Sequence, residues 1–395
     1  MPRDNGNDEK PKDLRRQVRE IADSLAIAFI LAMVIRHFVL EVFKIPTKSM
    51  EPTLLGDPWT GDKILVNKFA YDFHSPKRWE VAVFKYPLDT SKNYIKRLVG
   101  LPGEKIRIRD GDVYINYQIA RKPWPVQADL WRLRAHSGEA ARWQPGDPRY
   151  WTLADGSFAV ACEGTQVPQY LDYTGEILAY EQRDFRPGSF KRLTTGDVMA
   201  QFYLTPAKLA GAAHVEIHVQ SGGRFPQTID RWNVGIPLGE KDNRPQVWRT
   251  GQLVATGEPG TLAAGRATLV QVANVDRTFI VRVGGRELVR LPYEPSRALV
   301  EWPGFQSQAE VRLGCKEGSV AFGDAGIYVD LYYTNNPFAH AVNEPYTIKP
   351  GNYFFLGDNS VNSNDSRAWN SVPSDYLVGE AFLVLWPLGR MKLAR

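Results

Sequence analysis

The sequence predicts a mainly β protein with one N-terminal transmembrane helix, an antiparallel β body and a β-sandwich inserted into that body. Three observations point to it. Short apolar runs with period-two alternation, separated by Gly, Pro and Asp turns, recur from Lys63 onward. One long apolar run stands near the N-terminus, behind basic residues. The texture of the chain changes near residue 123 and again near residue 340, which sets a β-rich block inside another.

A chain of 395 residues has room for two or three domains. Its 11 Trp and 17 Tyr suit strands. The net charge of +5 is small for this length and no long basic run occurs, which excludes a nucleic-acid partner. The two cysteines, Cys162 and Cys315, form no CxxC and lie far from any histidine cluster, so neither a metal site nor a cofactor is expected. Two readings of them stay open: one disulfide, if their region faces an oxidising compartment, or two separate buried thiols.

Residues 1–20 are polar, with six Lys/Arg, and read as a cytoplasmic tail. Residues 21–43 read as an uncleaved anchor. Its uncharged core, 24–35, is short, but the apolar residues beyond Arg36 extend it to a spanning length, with Arg36 either snorkelling to a headgroup or facing a partner. No small-residue cleavage site follows. Arg15, Arg16 and Arg19 place the N-terminus in the cytoplasm and everything after Phe43 outside, on a single-pass protein of the cell membrane. Ile45-Pro46 is expected to end the helix.

Strands are expected at 64–66, 81–84 and 94–99, with turns at 101–103 and 110–112. Residues 44–122 and 341–395 are expected to form the two parts of one β body around the inserted block 123–340. In that block residues 214–219 alternate, 279–289 reads as a hairpin about Gly284-Gly285, and 327–333 is another strand candidate. In the last part, 353–356 and 381–385 read as strands.

Three segments carry the candidate chemistry. Ser49 stands between Pro46 and Pro52, and five residues of chain from Lys44 reach at most about 17 Å, so it lies near the membrane surface. A serine nucleophile needs a base. None of the six histidines (His37, His74, His136, His214, His218, His340) is near in sequence, and His214 and His218 read as surface residues on one strand face. A neutral lysine is the other option, since burial against apolar groups lowers its pKa. Lys96 fits: on a strand it shares a face with Tyr94 and Leu98, while Arg97 points the other way. The third segment, 357–367, packs Gly, Asp, Asn and Ser at the density of an internally bonded loop. It lacks the closing Glu of a calcium loop.

In this order, residues 45–55, 61–69, 83–87, 94–104 and 357–367 resemble type I signal peptidases, membrane-bound proteases that remove signal peptides from exported preproteins. The resemblance covers roughly 180 residues on both sides of the insertion. It implies Ser49 as nucleophile and Lys96 as general base, with the Ser49 N–H and the Thr47 hydroxyl as oxyanion hole. It further implies that Ser363 holds the Lys96 amine, that Asp358 pairs with Arg97, and that Asp365 pairs with Arg367. Ile45, Met50, Leu54, Tyr94 and Ile95 would line shallow pockets that admit only small side chains. Signal peptides and membrane lipid are the implied partners. The chain departs from the pattern at Lys48, where glycine is usual; at 56–60, which are extra; at Ser360-Val361, which replace an Arg-Asp pair; and in the insertion. The insertion resembles laminin-G-like or concanavalin-like sandwiches, with an unknown ligand or none.

Two other readings compete. A Ser–Lys self-cleaving repressor would carry a DNA-binding domain, and no helix-turn-helix is evident. An anchored binding protein on an inactive protease frame is the non-enzymatic alternative, against which the joint presence of Thr47, Ser49, Lys96 and Ser363 argues.

Overall fold

A computed structural model of the chain describes residues 14–34, 39–154, 156–183, 190–222, 229–239, 243–294, 306–334 and 339–394. The protein is mainly β. Its first part is built on an eight-stranded antiparallel sheet. The order across it is Leu40–Lys44, Lys63–Asn67, Leu377–Trp386, Val81–Tyr86, Asp89–Gly100, Asn352–Leu356 and Val372–Pro373, with Lys392–Leu393 beside Leu377–Trp386. Strands from the two ends of the chain therefore alternate in one sheet, which is why the body cannot close until residue 386 is made. Val81 and Val83 pack on one face of it, Ala82 and Phe84 on the other. A strand buried on both faces loses polar alternation, and 81–84 reads as a plain apolar run for that reason.

A smaller sheet, Tyr346–Thr347, Lys105–Arg109, Asp112–Ile115 and Gln118–Ile119, stands beside it. The turn at 110–112 forms as expected, with Asp110 and Gly111 both at positive φ.

Residues 132–329 form two further antiparallel sheets packed face to face. One has eight strands and the other seven. Their inner faces share a single core, in which Trp232 of one sheet stacks on Phe279 of the other at 4.7 Å. The hairpin Thr278–Val283 to Arg286–Pro292 turns at Gly284 and Gly285, with φ of 57° and 80°. Two successive positive φ values make the tight turn that glycine admits without strain.

The N-terminal expectations need correction. The helix runs from Leu14 to Val34, so it begins inside the segment read as a tail. No helix among the described residues is long and apolar enough to cross a membrane. Residues 40–43, read as the end of the anchor, lie in the strand Leu40–Lys44, paired with Lys63–Asn67. Leu-Glu-Val-Phe-Lys is a short, mostly apolar run, and pairing with Lys63–Asn67 satisfies its backbone at the sheet edge. Ile45-Pro46 thus ends a strand, not a helix. Arg36 and His37 lie outside the described residues. The strand expected at 327–333 stops at Val329; beyond it Tyr333 forms a single bridge to Gly111.

Candidate active site

The strand Asp89–Gly100 brings in two cations on opposite faces. Lys96 pairs across the ladder with Ala82, and Arg97 with Val81. Lys96 is 3% exposed, with its Nζ 5.4 Å from the centre of the Tyr94 ring, on the side Tyr94 and Leu98 share. Opposite it, the 3-10 turn Lys48–Met50 presents Ser49. Lys96 Nζ lies 2.8 Å from Ser49 Oγ and donates to the Ile95 carbonyl at 2.8 Å. Among the described residues no carboxylate touches the amine. Burial therefore pulls the Lys96 pKa down to about 8, against smaller opposing fields of Asp365 and Asp358. Those two carboxylates are already held by guanidinium groups.

Thr47 precedes the turn, its Oγ1 3.4 Å from Ser49 Oγ. The loop after Leu356 clamps the turn from the other side. The Asn359 N–H donates to the Ser49 carbonyl at 3.0 Å, and its amide to the Lys48 carbonyl at 3.0 Å. Lys48 itself is exposed, so the residue that departs from the family pattern points away from the pair. Gly357 is required by close approach: a Cβ there would come within 2.1 Å of Ser363 Oγ and 2.6 Å of the Ser49 carbonyl oxygen.

The expected ion pairs form. Arg97 binds Asp358 through two hydrogen bonds, Nε to Oδ1 at 2.8 Å and Nη2 to Oδ2 at 2.7 Å, with both side chains fully buried. Arg367 grips Asp365 in the same way, at 2.9 and 2.7 Å. Ser360, where an Arg-Asp pair was expected to be lost, is taken up by that fork: Arg367 Nη1 donates to its Oγ at 2.6 Å and Nη2 to its carbonyl at 2.8 Å.

Ser363 differs from expectation. Its Oγ is buried and has no hydrogen-bond partner, so it does not hold the Lys96 amine in this state. The amine is satisfied instead by Ser49 and the Ile95 carbonyl, which leaves the Ser363 hydroxyl spare. The five expected lining residues also divide. Ile45, Met50 and Leu54 are at most 2% exposed and belong, with the half-buried Ile95, to the apolar cluster on one face of the sheet. Tyr94 lies on the other face, stacked 4.3 Å from Tyr86 and edge-on to Trp369. Alternation along the strand separates Tyr94 from Ile95, so the two do not share one wall.

Several site residues went unread in the sequence. Thr53 donates to Asp358 and receives Arg97 Nη2 at 3.3 Å, tying the nucleophile loop to the ion pair. Asp62 accepts from the Leu55 N–H at 2.8 Å and pairs with Arg390 at 3.0 Å. Arg132, at the start of the sandwich, donates to the carbonyls of Glu51 (2.9 Å) and Asp358. Arg132 had no signal in its neighbours; the Gly61-Asp62 pair did stand in a recognised stretch. Among the histidines, His214 is 8% exposed and takes part in a polar network, which corrects its reading as a surface residue. Cys162 and Cys315 are free, buried thiols that lie against one another.

A serine hydroxyl facing a buried amine of lowered pKa, with donors around the turn, is the arrangement of a serine hydrolase that works without histidine. The comparisons with known proteins agree with that class. The family described as signal peptidase, peptidase S26, matches residues 18–142 and 326–386, the two blocks that flank the sandwich. Through these blocks, just under half of its length, the chain is similar to that family. It is 40% identical over 120 residues to signal peptidase I of Buchnera aphidicola subsp. Acyrthosiphon pisum, covering 27% of this chain and 37% of that protein. A probable signal peptidase I-2 of Synechocystis sp. is 41% identical over 103 residues, 25% of this chain and 45% of the relative. Signal peptidase I of Pseudomonas aeruginosa is 39% identical over 113 residues, 25% and 38%. The chain thus spans less than half the length of these relatives. Among solved structures, a Bacillus subtilis protein of unknown function with a galectin-like fold aligns over 51% of this chain and 100% of its own, at 8% identity and a TM-score of 0.35, too low to carry an argument.

Proposed function

We propose that the protein is a serine endopeptidase that removes signal peptides from exported preproteins, with Ser49 as nucleophile and Lys96 as general base. The observation that carries this reading is the 2.8 Å contact between a serine hydroxyl and a buried amine that no carboxylate among the described residues touches. In the neutral amine the lone pair of Nζ accepts the proton of Ser49 as Oγ attacks the scissile carbonyl. The developing oxyanion is stabilised by the Ser49 N–H and the Thr47 hydroxyl. As the tetrahedral adduct collapses, the ammonium returns that proton to the leaving amine, and an acyl-serine remains. Water, deprotonated by the same amine, releases the acyl group and restores Ser49. Once Nζ is charged it needs one more acceptor, and the spare Ser363 Oγ is suited to supply it.

The half-buried Ile95 and Tyr94, on opposite faces of their strand, are proposed for separate substrate walls that admit small side chains only; Ile45, Met50 and Leu54 are core residues that back the Ile95 side. The division into a body of 44–122 and 341–395 around an inserted laminin-G-like or concanavalin-like block, 123–340, is part of the same reading. So is a membrane anchor within residues 21–43, with a cytoplasmic N-terminus and the catalytic body outside. The apolar residues of the helix Leu14–Val34, including Leu25, Ile27, Phe29 and Ile30, are exposed and need a covering, which lipid would supply.

The test is cleavage of a purified preprotein in detergent or vesicles. Ser49→Ala and Lys96→Ala should each abolish processing while the circular dichroism spectrum is retained. Full processing by either variant sinks the proposal. Recovery of the wild-type chain in the soluble fraction would remove the anchor from it.

A further inference from the structure

The chain holds two cysteines, far apart in sequence, and peptide-bond cleavage uses neither. The fold brings them together. Cys162 follows the strand Ser157–Ala161 of the eight-stranded sheet, and Cys315 lies in the strand Gln306–Lys316 of the seven-stranded one. Ala161 pairs with Ser319, so Cys162 comes to rest opposite Gly318, in the turn that leaves the Cys315 strand. The Cys162 N–H donates to the Gly318 carbonyl at 2.8 Å, and its thiol reaches the same oxygen at 3.3 Å. A Cβ at Gly318 would stand 3.3 Å from Cys315 Sγ, so both sulfurs lie against that one residue. A thiol–thiol hydrogen bond joins them.

Both thiols are wholly buried in the apolar core that the two sheets share. As core filling, two small alkyl side chains would serve as well there. What sets this pair apart is contact between the two cysteines of the chain. Sulfurs at hydrogen-bond range need to close by only about 1–2 Å to bond. A metal would need further ligands, and among the described residues the pair belongs to no cluster of three metal-ligating side chains. The thiolate is the form that attacks, and the Cys315 thiol, donating to the Cys162 sulfur, holds Cys162 below its ordinary pKa. The same bond holds Cys315 above its own. We propose that Cys162 and Cys315 form a disulfide that staples the two sheets of the sandwich together.

The oxidant is a small disulfide such as oxidised glutathione. The Cys162 thiolate attacks one of its sulfurs; a Cys162–glutathione bond forms, the glutathione S–S bond breaks, and one glutathione thiolate leaves. Cys315 then loses its proton to that thiolate and attacks the Cys162 sulfur, which expels the second glutathione. Two protein thiols are oxidised and one disulfide is reduced to two thiols. Because both sulfurs are sealed in the folded sandwich, exchange takes place while the turn after Lys316 is open. The location outside the membrane proposed above is one where such bonds persist, but the chemistry does not depend on it.

The test uses the full chain, purified reduced in detergent. One sample is equilibrated in a buffer of reduced and oxidised glutathione, and a second in the same buffer with urea just below the unfolding transition, which opens turns transiently. Both are quenched in acid, unfolded, treated with a maleimide and weighed. The expected product, at least in the urea sample, takes up no maleimide, is lighter than the reduced chain by two hydrogens, and regains two maleimide sites after reduction. Its melting midpoint should rise by about 10 °C and fall back on reduction. Cys315→Ala, checked for folding, should keep one reactive sulfur and show no such rise. Two maleimides or two glutathiones per chain in both samples overturn the proposal. So does a bond that forms without raising the melting midpoint. Neither readout involves preprotein cleavage, so the outcome stands apart from the proposed activity.

Discussion

Two lysines of this chain are almost equally hidden from water and behave oppositely. Lys96, in the β body, is 3% exposed; Lys122, where the chain leaves the body for the sandwich, is 8% exposed. Lys122 Nζ lies 2.6 Å from Asp276 and 2.9 Å from Asp330, and those carboxylates raise its pKa well above the ordinary value despite its burial. Lys96 has a hydroxyl and a carbonyl instead, and its pKa falls to about 8. Burial alone therefore does not make a base. What matters is that the nearest carboxylates, Asp358 and Asp365, are each spent on an arginine. The Arg97–Asp358 and Arg367–Asp365 pairs are part of why an amine loses its proton here, besides holding the loops in place.

The contrast can be broken in several ways. The largest expected effect is at the neutralising pairs. Asp358→Ala leaves the Arg97 guanidinium buried without its carboxylate, and it should lower the stability of the body by about 3–5 kcal/mol in denaturant titrations. Lys122→Met should be comparably destabilising, because it leaves Asp276 and Asp330 facing each other uncompensated.

Lys96→Met should act in the other direction. The unfolded chain holds the lysine proton up to a pKa of 10.5, whereas the folded chain releases it near 8, so stability rises with pH between those values. Below pH 8 the wild-type fold carries a penalty of about 3 kcal/mol for charging a buried amine, which methionine avoids. The variant should be inactive and, at pH 7, harder to unfold. A melting curve lower than wild type would contradict this. The smallest effect is expected at Arg132, which reaches from the sandwich to the Glu51 and Asp358 carbonyls. Arg132→Met should lower kcat for a preprotein severalfold, about 1 kcal/mol, with little change in KM.

Most of this candidate constellation was legible in the chain. Ser49 and Lys96 stand in short, locally distinctive segments, and alternation alone places Lys96 with Tyr94 and opposite Arg97. The Gly357 loop stood out because it is dense in residues that bond their own backbone, but the pairing of Asp358 with Arg97 and of Asp365 with Arg367 came from the resemblance to signal peptidases. Other features depend on contacts between distant segments. Arg132 and Lys122 are ordinary cations in sequence; only the docking of the sandwich gives Arg132 two carbonyls and Lys122 two carboxylates. The strand Leu40–Lys44 was misread because a short, mostly apolar run next to an apolar helix continues its hydropathy, and only its partner, Lys63–Asn67, makes it a strand. The His214 network was visible as one strand face, but its partner Asn233 comes from the neighbouring strand.

The most direct measurement is a pH titration of the Lys96 side chain by NMR, observing lysine Cε labelled with carbon-13 and assigned by comparison with Lys96→Met. The resonance should titrate with a midpoint near 8, while the Lys122 resonance stays in its charged position throughout that range. A Lys96 midpoint at or above the ordinary lysine value of 10.5 would leave almost none of the amine beside Ser49 neutral at pH 7, against about a tenth at a midpoint near 8, and the account of Lys96 as a base would fail.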